Sequence, residues 1–194
     1  MMQPFNCISA SDQNALLLSF CRQHVLFNLA FRSRNETDCL LLTNGQRLPR
    51  DHSSITGMNE RTAARIIDQL VLPMKFMLLD DSEYLLLKAC ILFNPVARKV
   101  SAEGADRIHT IRRQLCTVLE HYVTENKPNQ YGRTNDLLLF FIGPLQALSS
   151  MLAEDIFITK LAGLAEIDKL IERLYLCTGD SDNILASASN ERTA

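Results

Sequence analysis

The sequence predicts an all-α domain interrupted by one small β-hairpin, and three observations carry that expectation. Apolar residues recur at helical spacing through most long segments, residues 84–93 are apolar on nearly every face, and a single Asn-Gly pair separates two short apolar runs. A helix that is apolar all round belongs in the middle of a helical stack rather than at its surface.

Taken in order, Ser9 and Asp12 stand three apart just ahead of Leu16, Leu17, Phe20, His24, Phe27 and Phe31, so a capped amphipathic helix is expected over about 10–33. Residues 39–42 form a short apolar run, Asn44-Gly45 supplies two residues suited to positive φ, and residues 46–48 return as the second strand. Residues 49–59 are polar and turn-rich and read as a surface connection. From about 60 to 77, Ile66, Ile67, Leu70, Val71 and Met74 recur at helical spacing, with Pro73 expected to bend the end. Asp80 and Glu83 form an acidic capping box for the apolar helix at 84–93, which Asn94-Pro95 stops. Ser101 caps the next helix, whose stripe is Ile108, Ile111, Leu115, Val118, Leu119 and Tyr122. Residues 127–132 form a loop. The longest helix then runs over about 134–164, kinked at Gly143-Pro144, and a short terminal helix carries Ile167, Leu170, Ile171 and Leu174. Beyond Cys177 the polar segment 178–194 is expected to be disordered.

A chain of 194 residues holds one core comfortably. A net charge of -2 gives no electrostatic signature of nucleic-acid binding, so direct contact with nucleic acid is not expected. The six cysteines are widely spaced, with no C-x-x-C clamp for a metal, and read as reduced thiols. Met1 to Phe5 lacks the basic and apolar regions of a secretion signal, and no apolar run is expected to reach the roughly 18 residues of a membrane span. His24, His52, His109 and His121 are isolated from Ser, Cys or Asp partners at motif spacing, so no enzyme activity, catalytic residue or metal site is expected.

Five segments, in order and with compatible gaps, resemble the nuclear hormone receptor ligand-binding domain, and more narrowly the hepatocyte nuclear factor four type and its nematode relatives. Ser11-Asp-Gln-Asn-Ala-Leu-Leu-Leu18 followed by Leu29-Ala-Phe-Arg-Ser33 is similar to the family signature D-Q-x-x-L-L and A-x-R-S. Cys39-Leu-Leu-Leu-Thr-Asn-Gly45 resembles the β-turn that follows it. Leu70-Val-Leu-Pro73, Leu79-Asp-Asp-Ser-Glu-Tyr-Leu-Leu-Leu-Lys-Ala89 and Leu92-Phe-Asn-Pro95 resemble the seventh and eighth helices. Gly132-Arg133, residues 137–141 and Pro144-Leu-Gln146 resemble the start of the long dimer-forming helix, and Lys160-Leu-Ala-Gly-Leu-Ala-Glu-Ile-Asp-Lys-Leu170 its end.

The resemblance implies a three-layer helical sandwich over residues 1–177, lacking its first helices and accompanied by no DNA-binding module. It implies a transcription regulator of the nucleus, also compatible with the cytoplasm, that binds a small lipophilic acid such as a fatty acid and needs no other cofactor. Arg32 stands where related receptors pair an arginine with a lipid carboxylate, the backbone N–H of Thr43 matches a second anchor, and Leu29, Phe31, Leu42, Met151, Leu152 and Ile156 would line the cavity. Plain core packing is the alternative for those apolar residues, and solvation at a helix end the alternative for Arg32. A coregulator peptide would meet Gln13, Leu17, Leu170, Ile171, Glu172 and Leu174, although Arg173 stands where the family has its glutamate and Glu172 lies one place earlier. That displacement is about 100° around a helix. Arg133, Asp136, Leu137, Phe140, Phe141, Leu145 and Leu148 would form a seam for a homodimer or a heterodimer with a related receptor, with burial inside the chain as the alternative. A ligand-free helical dimerisation or adaptor protein, or a fragment of a longer receptor, remains open.

Overall fold

The computed structural model describes residues 3–50, 60–164 and 166–176. The expected disordered tail at 178–194, and most of the connection at 49–59, lie outside the described residues. After a short helix α1 (Gln3–Asn6), α2 (Ala10–Ser33) begins where Ser9 accepts a hydrogen bond from the Asp12 N–H, so cap and apolar stripe define the same start. The hairpin pairs β1 (Cys39–Leu41) with β2 (Arg47–Pro49), Leu40 opposite Leu48. Its loop differs from the expected two-residue turn. Leu42 closes it by bonding Gly45 N–H and Gln46 O, and of the Asn44-Gly45 pair only Gly45 has a positive φ, 81°. A three-residue loop needs a single left-handed position, which glycine fills without strain.

The next rod is α3 (Glu60–Ile66), a π-helical turn Ile67–Val71 and α4 (Leu72–Phe76). Ahead of Pro73 the rod takes a wider turn in which Leu72 N–H reaches back to Ile67 O. Proline cannot donate and its ring crowds the preceding turn, and the π turn re-phases the helix ahead of it. Helix α5 (Asp81–Leu92) carries the predicted capping box, with Asp80 accepting from Glu83 N–H and Glu83 from Asp80 N–H. Ser101 caps α6 (Ala102–Asn126) through Gly104 N–H, α7 (Arg133–Leu161) passes through Pro144, and α8 (Lys169–Tyr175) is capped by Asp168.

Helix α5 packs between α2 and α6, α7 touches all three, and the α3–α4 rod packs on α2 and α7. The apolar α5 helix thus touches α2, α6 and α7, as its all-round hydrophobicity requires. The main core draws Leu26 and Phe27 from α2, Leu70 and Met74 from the rod, Leu87 from α5, and Phe141, Leu145 and Leu148 from α7. Each such side chain, fully buried, contributes about 1.5–3 kcal/mol. A smaller cluster of Ile8, Leu16, Leu92, Phe93, Ala97 and Ile108 fills the end where α2, α5 and α6 begin or stop.

One sequence expectation about membranes needs correcting. Helix α7 is long and apolar enough to cross a bilayer, with mean hydropathy 1.5 over its most apolar window. The estimate from apolar runs missed it because isolated polar residues and small residues are spread through the helix. One face of α7 nonetheless lies in the protein core, which accounts for part of that hydrophobicity.

Candidate functional site

Around the expected ligand site, the structure brings Leu29, Leu42, Met151, Leu152 and Ile156 together on the main core cluster, contributed by α2, the hairpin edge and α7. Leu152 is buried and the others are half-buried. Phe31 is stacked on Tyr84 at 3.8 Å between ring centroids, and the Arg34 guanidinium covers it at 3.7 Å. Arg32 and Thr43 are both exposed. The motif serine beside Arg32 has a clear structural task. Buried Ser33 donates to Leu29 O and accepts from Leu41 N–H, 2.7 and 2.8 Å, which fastens β1 to the end of α2. Side-chain to backbone bonding of this kind left no periodic signal in the sequence.

On α7 the two faces are now distinct. Leu137, Phe141, Leu145 and Leu148 are fully buried in this chain, and Arg133 is nearly so. The expectation that these five form an intermolecular seam is therefore corrected, because side chains spent on the core present nothing to a partner. The outer face carries Asp136, Leu139, Phe140 and Gly143 instead, of which Leu139 is 75% and Phe140 53% exposed. Phe140 and Asp136 border an open hollow of about 550 Å³ with Leu72, Phe76, Leu78 and Tyr131. Phe76 and Tyr131 are 89% and 94% exposed, and neither stands out in the sequence, where 55 positions separate them.

Arg133 is at the floor of this region. Its Nε donates to Glu83 Oε1 at 2.5 Å, one Nη to Glu83 Oε2 at 2.7 Å and to Met77 O at 2.8 Å, and the other to Gln130 Oε1 at 2.7 Å. Lys127 adds contacts to Glu83 and Asp80 at 2.8 and 2.6 Å. Burial pushes the Glu83 carboxyl up, but hydrogen bonds from Arg133 and Lys127 outweigh it and hold the carboxyl below its usual range. The pair fixes the start of α5 to the start of α7 and so helps set how the outer α7 face is presented.

The terminal helix α8 is docked on α2. Leu174 and buried Tyr175 pack inward, Arg22 donates to Leu174 O, and Leu170 and Ile171 remain exposed. Glu172 pairs with Lys160 at the end of α7. Gln13 is spent on Phe5 O and Ile8 O, both at 2.9 Å, while Leu17 on the next turn is exposed. Among the described residues no cluster of His, Cys, Asp or Glu is arranged to hold a metal ion.

These features, stacked helices with one small hairpin that follows the A-x-R-S end of α2, are those of a hormone-receptor regulatory domain. The chain belongs to the family described as the ligand-binding domain of nuclear hormone receptor, which it matches over residues 1–162. Among its relatives is nuclear hormone receptor family member nhr-35 of Caenorhabditis elegans, 39% identical over 91% of this chain and 34% of the relative. Hepatocyte nuclear factor 4-alpha of Xenopus laevis is 36% identical over 85% of this chain and 34% of its own length. The transcription factor HNF-4 homolog of Drosophila melanogaster is 34% identical over 93% and 26%. The chain thus spans about a third of the length of the first two of these relatives and about a quarter of the third.

Proposed function

We propose that the chain acts as the pairing and ligand-responsive part of a nuclear-receptor-type transcription regulator, working in the nucleus through a second receptor chain. The outer face of α7 carries this reading: Phe140 stands exposed and lines one hollow with Phe76 and Tyr131, and Leu139 next to it in sequence is exposed as well. An apolar patch of this kind, rimmed by Asp136 and Asp68, has the make-up of an interface core with a polar rim. Its occupant is a twin or a related receptor with the same face, since two copies related by a twofold axis would cover each other's aromatic side chains. Coregulator peptides would use the surface of α2 near Leu17 together with Leu170 and Ile171 of α8.

Fatty-acid binding belongs to the same proposal. Arg32 is exposed at the end of α2, which also carries the half-buried Leu29; a long-chain acid would place its carboxylate on the guanidinium and its tail toward Leu29, Leu42, Met151 and Ile156. The pairing reading is tested by sedimentation equilibrium. The unmodified chain should reach a two-chain mass in the micromolar range and Leu139→Asp with Phe140→Asp should remain a folded monomer. A monomeric unmodified chain, or a variant that still pairs, would refute it. Native mass spectrometry after gentle purification tests the ligand: a stoichiometric acid absent from Arg32→Ala supports it, and a lipid-free parent chain opposes it.

A further inference from the structure

The turn between α5 and α6 carries a feature that pairing and ligand binding leave unused. It reads Arg98-Lys99-Val100-Ser101, with Arg98, Lys99 and Ser101 exposed. Two cations three and two places ahead of an exposed serine match the charge pattern sought by basic-directed serine kinases, whose acidic subsites bind such side chains. Thr110 also follows an arginine, Arg107, by three places. It sits inside α6 with its hydroxyl bonded to Asp106 O, so the backbone there cannot be drawn out as an extended substrate. The 98–101 segment is irregular, and Lys99 is held at a left-handed φ of 67°, strain that extension would release.

What makes Ser101 consequential is its partner. Asp12 at the start of α2 is buried, and its carboxylate accepts from Ser101 N–H at 2.7 Å, Ser101 Oγ at 2.9 Å and Ser9 Oγ at 2.7 Å. These bonds, led by the Ser101 backbone, hold the carboxyl below its usual range and hence charged. Space is tight: a Cβ at Gly104 would lie 2.4 Å from Asp12 Oδ2. The same joint closes the small core cluster of Ile8, Leu16, Leu92, Phe93, Ala97 and Ile108.

We infer that Ser101 is a phosphorylation site whose modification loosens the α2–α6 joint. In the transfer, the Ser101 Oγ–P bond forms as the bond between the γ-phosphorus of ATP and the ADP oxygen breaks, and the hydroxyl proton passes to the kinase's base. The product keeps one half of the joint and loses the other. Phosphoserine at the α6 N-terminus still accepts from Gly104 N–H and suits the helix dipole. Asp12, in contrast, loses the Oγ donor and faces a phosphate of about −2 charge at contact distance. Arg107 is already engaged by Glu103 and Cys7 O, which limits the neutralisation available. The α2 start and the small core edge behind it therefore open. This inference stands independently of the receptor reading.

The test treats the full chain with ATP and the catalytic subunit of cyclic-AMP-dependent protein kinase, maps the phosphate by peptide mass spectrometry, and follows amide hydrogen exchange. Incorporation should fall on Ser101, vanish in Ser101→Ala and drop about tenfold in Arg98→Ala with Lys99→Ala. Exchange at residues 9–13 and 101–104 should rise about tenfold in the phosphorylated chain. That rise should disappear in Asp12→Asn or, should that variant fold poorly, Asp12→Ser, since the like charge is gone. Absence of phosphate at Ser101, unchanged exchange after modification, or an equal rise in a well-folded neutral variant would each overturn the inference. The mapping and the parent exchange comparison need no Asp12 variant.

Discussion

Glu83→Gln is the substitution that most sharply probes how this sandwich is held in register. Glu83 is fully buried and receives Arg133 through two hydrogen bonds and Lys127 through one, while Arg133 is itself nearly excluded from water. Glutamine keeps the shape but removes the charge, leaving a buried guanidinium with an amide in place of its anion. Breaking one side of such a pair costs about 3–5 kcal/mol, against a native stability of about 5–15 kcal/mol. For a chain of this size, each kcal/mol moves Tm by about 2–4 °C, so a loss of about 6–20 °C is expected. Thermal unfolding followed by far-ultraviolet circular dichroism measures it, with urea titration to check that the slope is unchanged. Arg133→Met should lose a similar amount. Glu83→Gln combined with Arg133→Met should lose less than the sum of the singles by about 2 kcal/mol, because removing both charges also removes the uncompensated one. Singles that lower Tm by less than about 2 °C and add without coupling would refute the argument.

Alanine at two helical glycines should act in opposite directions. Gly104→Ala forces a methyl onto the Asp12 carboxylate and should lower stability by about 1–3 kcal/mol, whereas Gly143→Ala meets open space and should raise it by about 0.5–1 kcal/mol in dilute protein, both read by urea unfolding. Phe141→Ala, which hollows the core, should cost about 3–5 kcal/mol, while Leu139→Ala on the other face of α7 should change monomer stability by less than about 0.5 kcal/mol. Asp80 and Glu83 are both held below their usual carboxyl range in the folded chain. The unfolded chain therefore takes up protons first, so the stability they contribute is present above about pH 4.5 and falls as acid passes the folded values. Unfolding midpoints measured from pH 7 down to about pH 3 should follow that course, and the slope should flatten in Glu83→Gln. Removing the α8 contacts with Arg22→Ala and Lys160→Ala should raise amide exchange in residues 169–175 with little change in Tm, since these bonds hold an end helix and not the core.

How much of the structure is legible in the sequence depends on how local each cause is. Helix α2 was readable to its ends because the Ser9 cap and the stripe from Leu16 to Phe31 lie within one segment. The capping box at Asp80 and Glu83 was readable for the same reason. Its second role was not, since Arg133 lies 50 positions along the chain and no spacing rule links them. Helix α7 shows a different limit. It is apolar on two faces, one through Leu137, Phe141, Leu145 and Leu148 and one through Leu139 and Phe140, and periodicity alone does not say which meets the core. The seam expectation mixed the two. The π turn ahead of Pro73 is a backbone adjustment that a residue pattern signals only as a break. The motif singles out Arg32, but its exposure depends on what surrounds it in space, which no motif states.

Hydroxyl-radical footprinting of the chain at concentrations above and below self-association addresses the pairing face directly. At high concentration Phe76, Tyr131, Leu139 and Phe140 should label several-fold more slowly than in dilute solution, while Val96, exposed on the α5–α6 turn, labels equally in both. Equal labelling of the four at every concentration, in a chain that sedimentation reports as paired, would place the contact elsewhere and contradict the account.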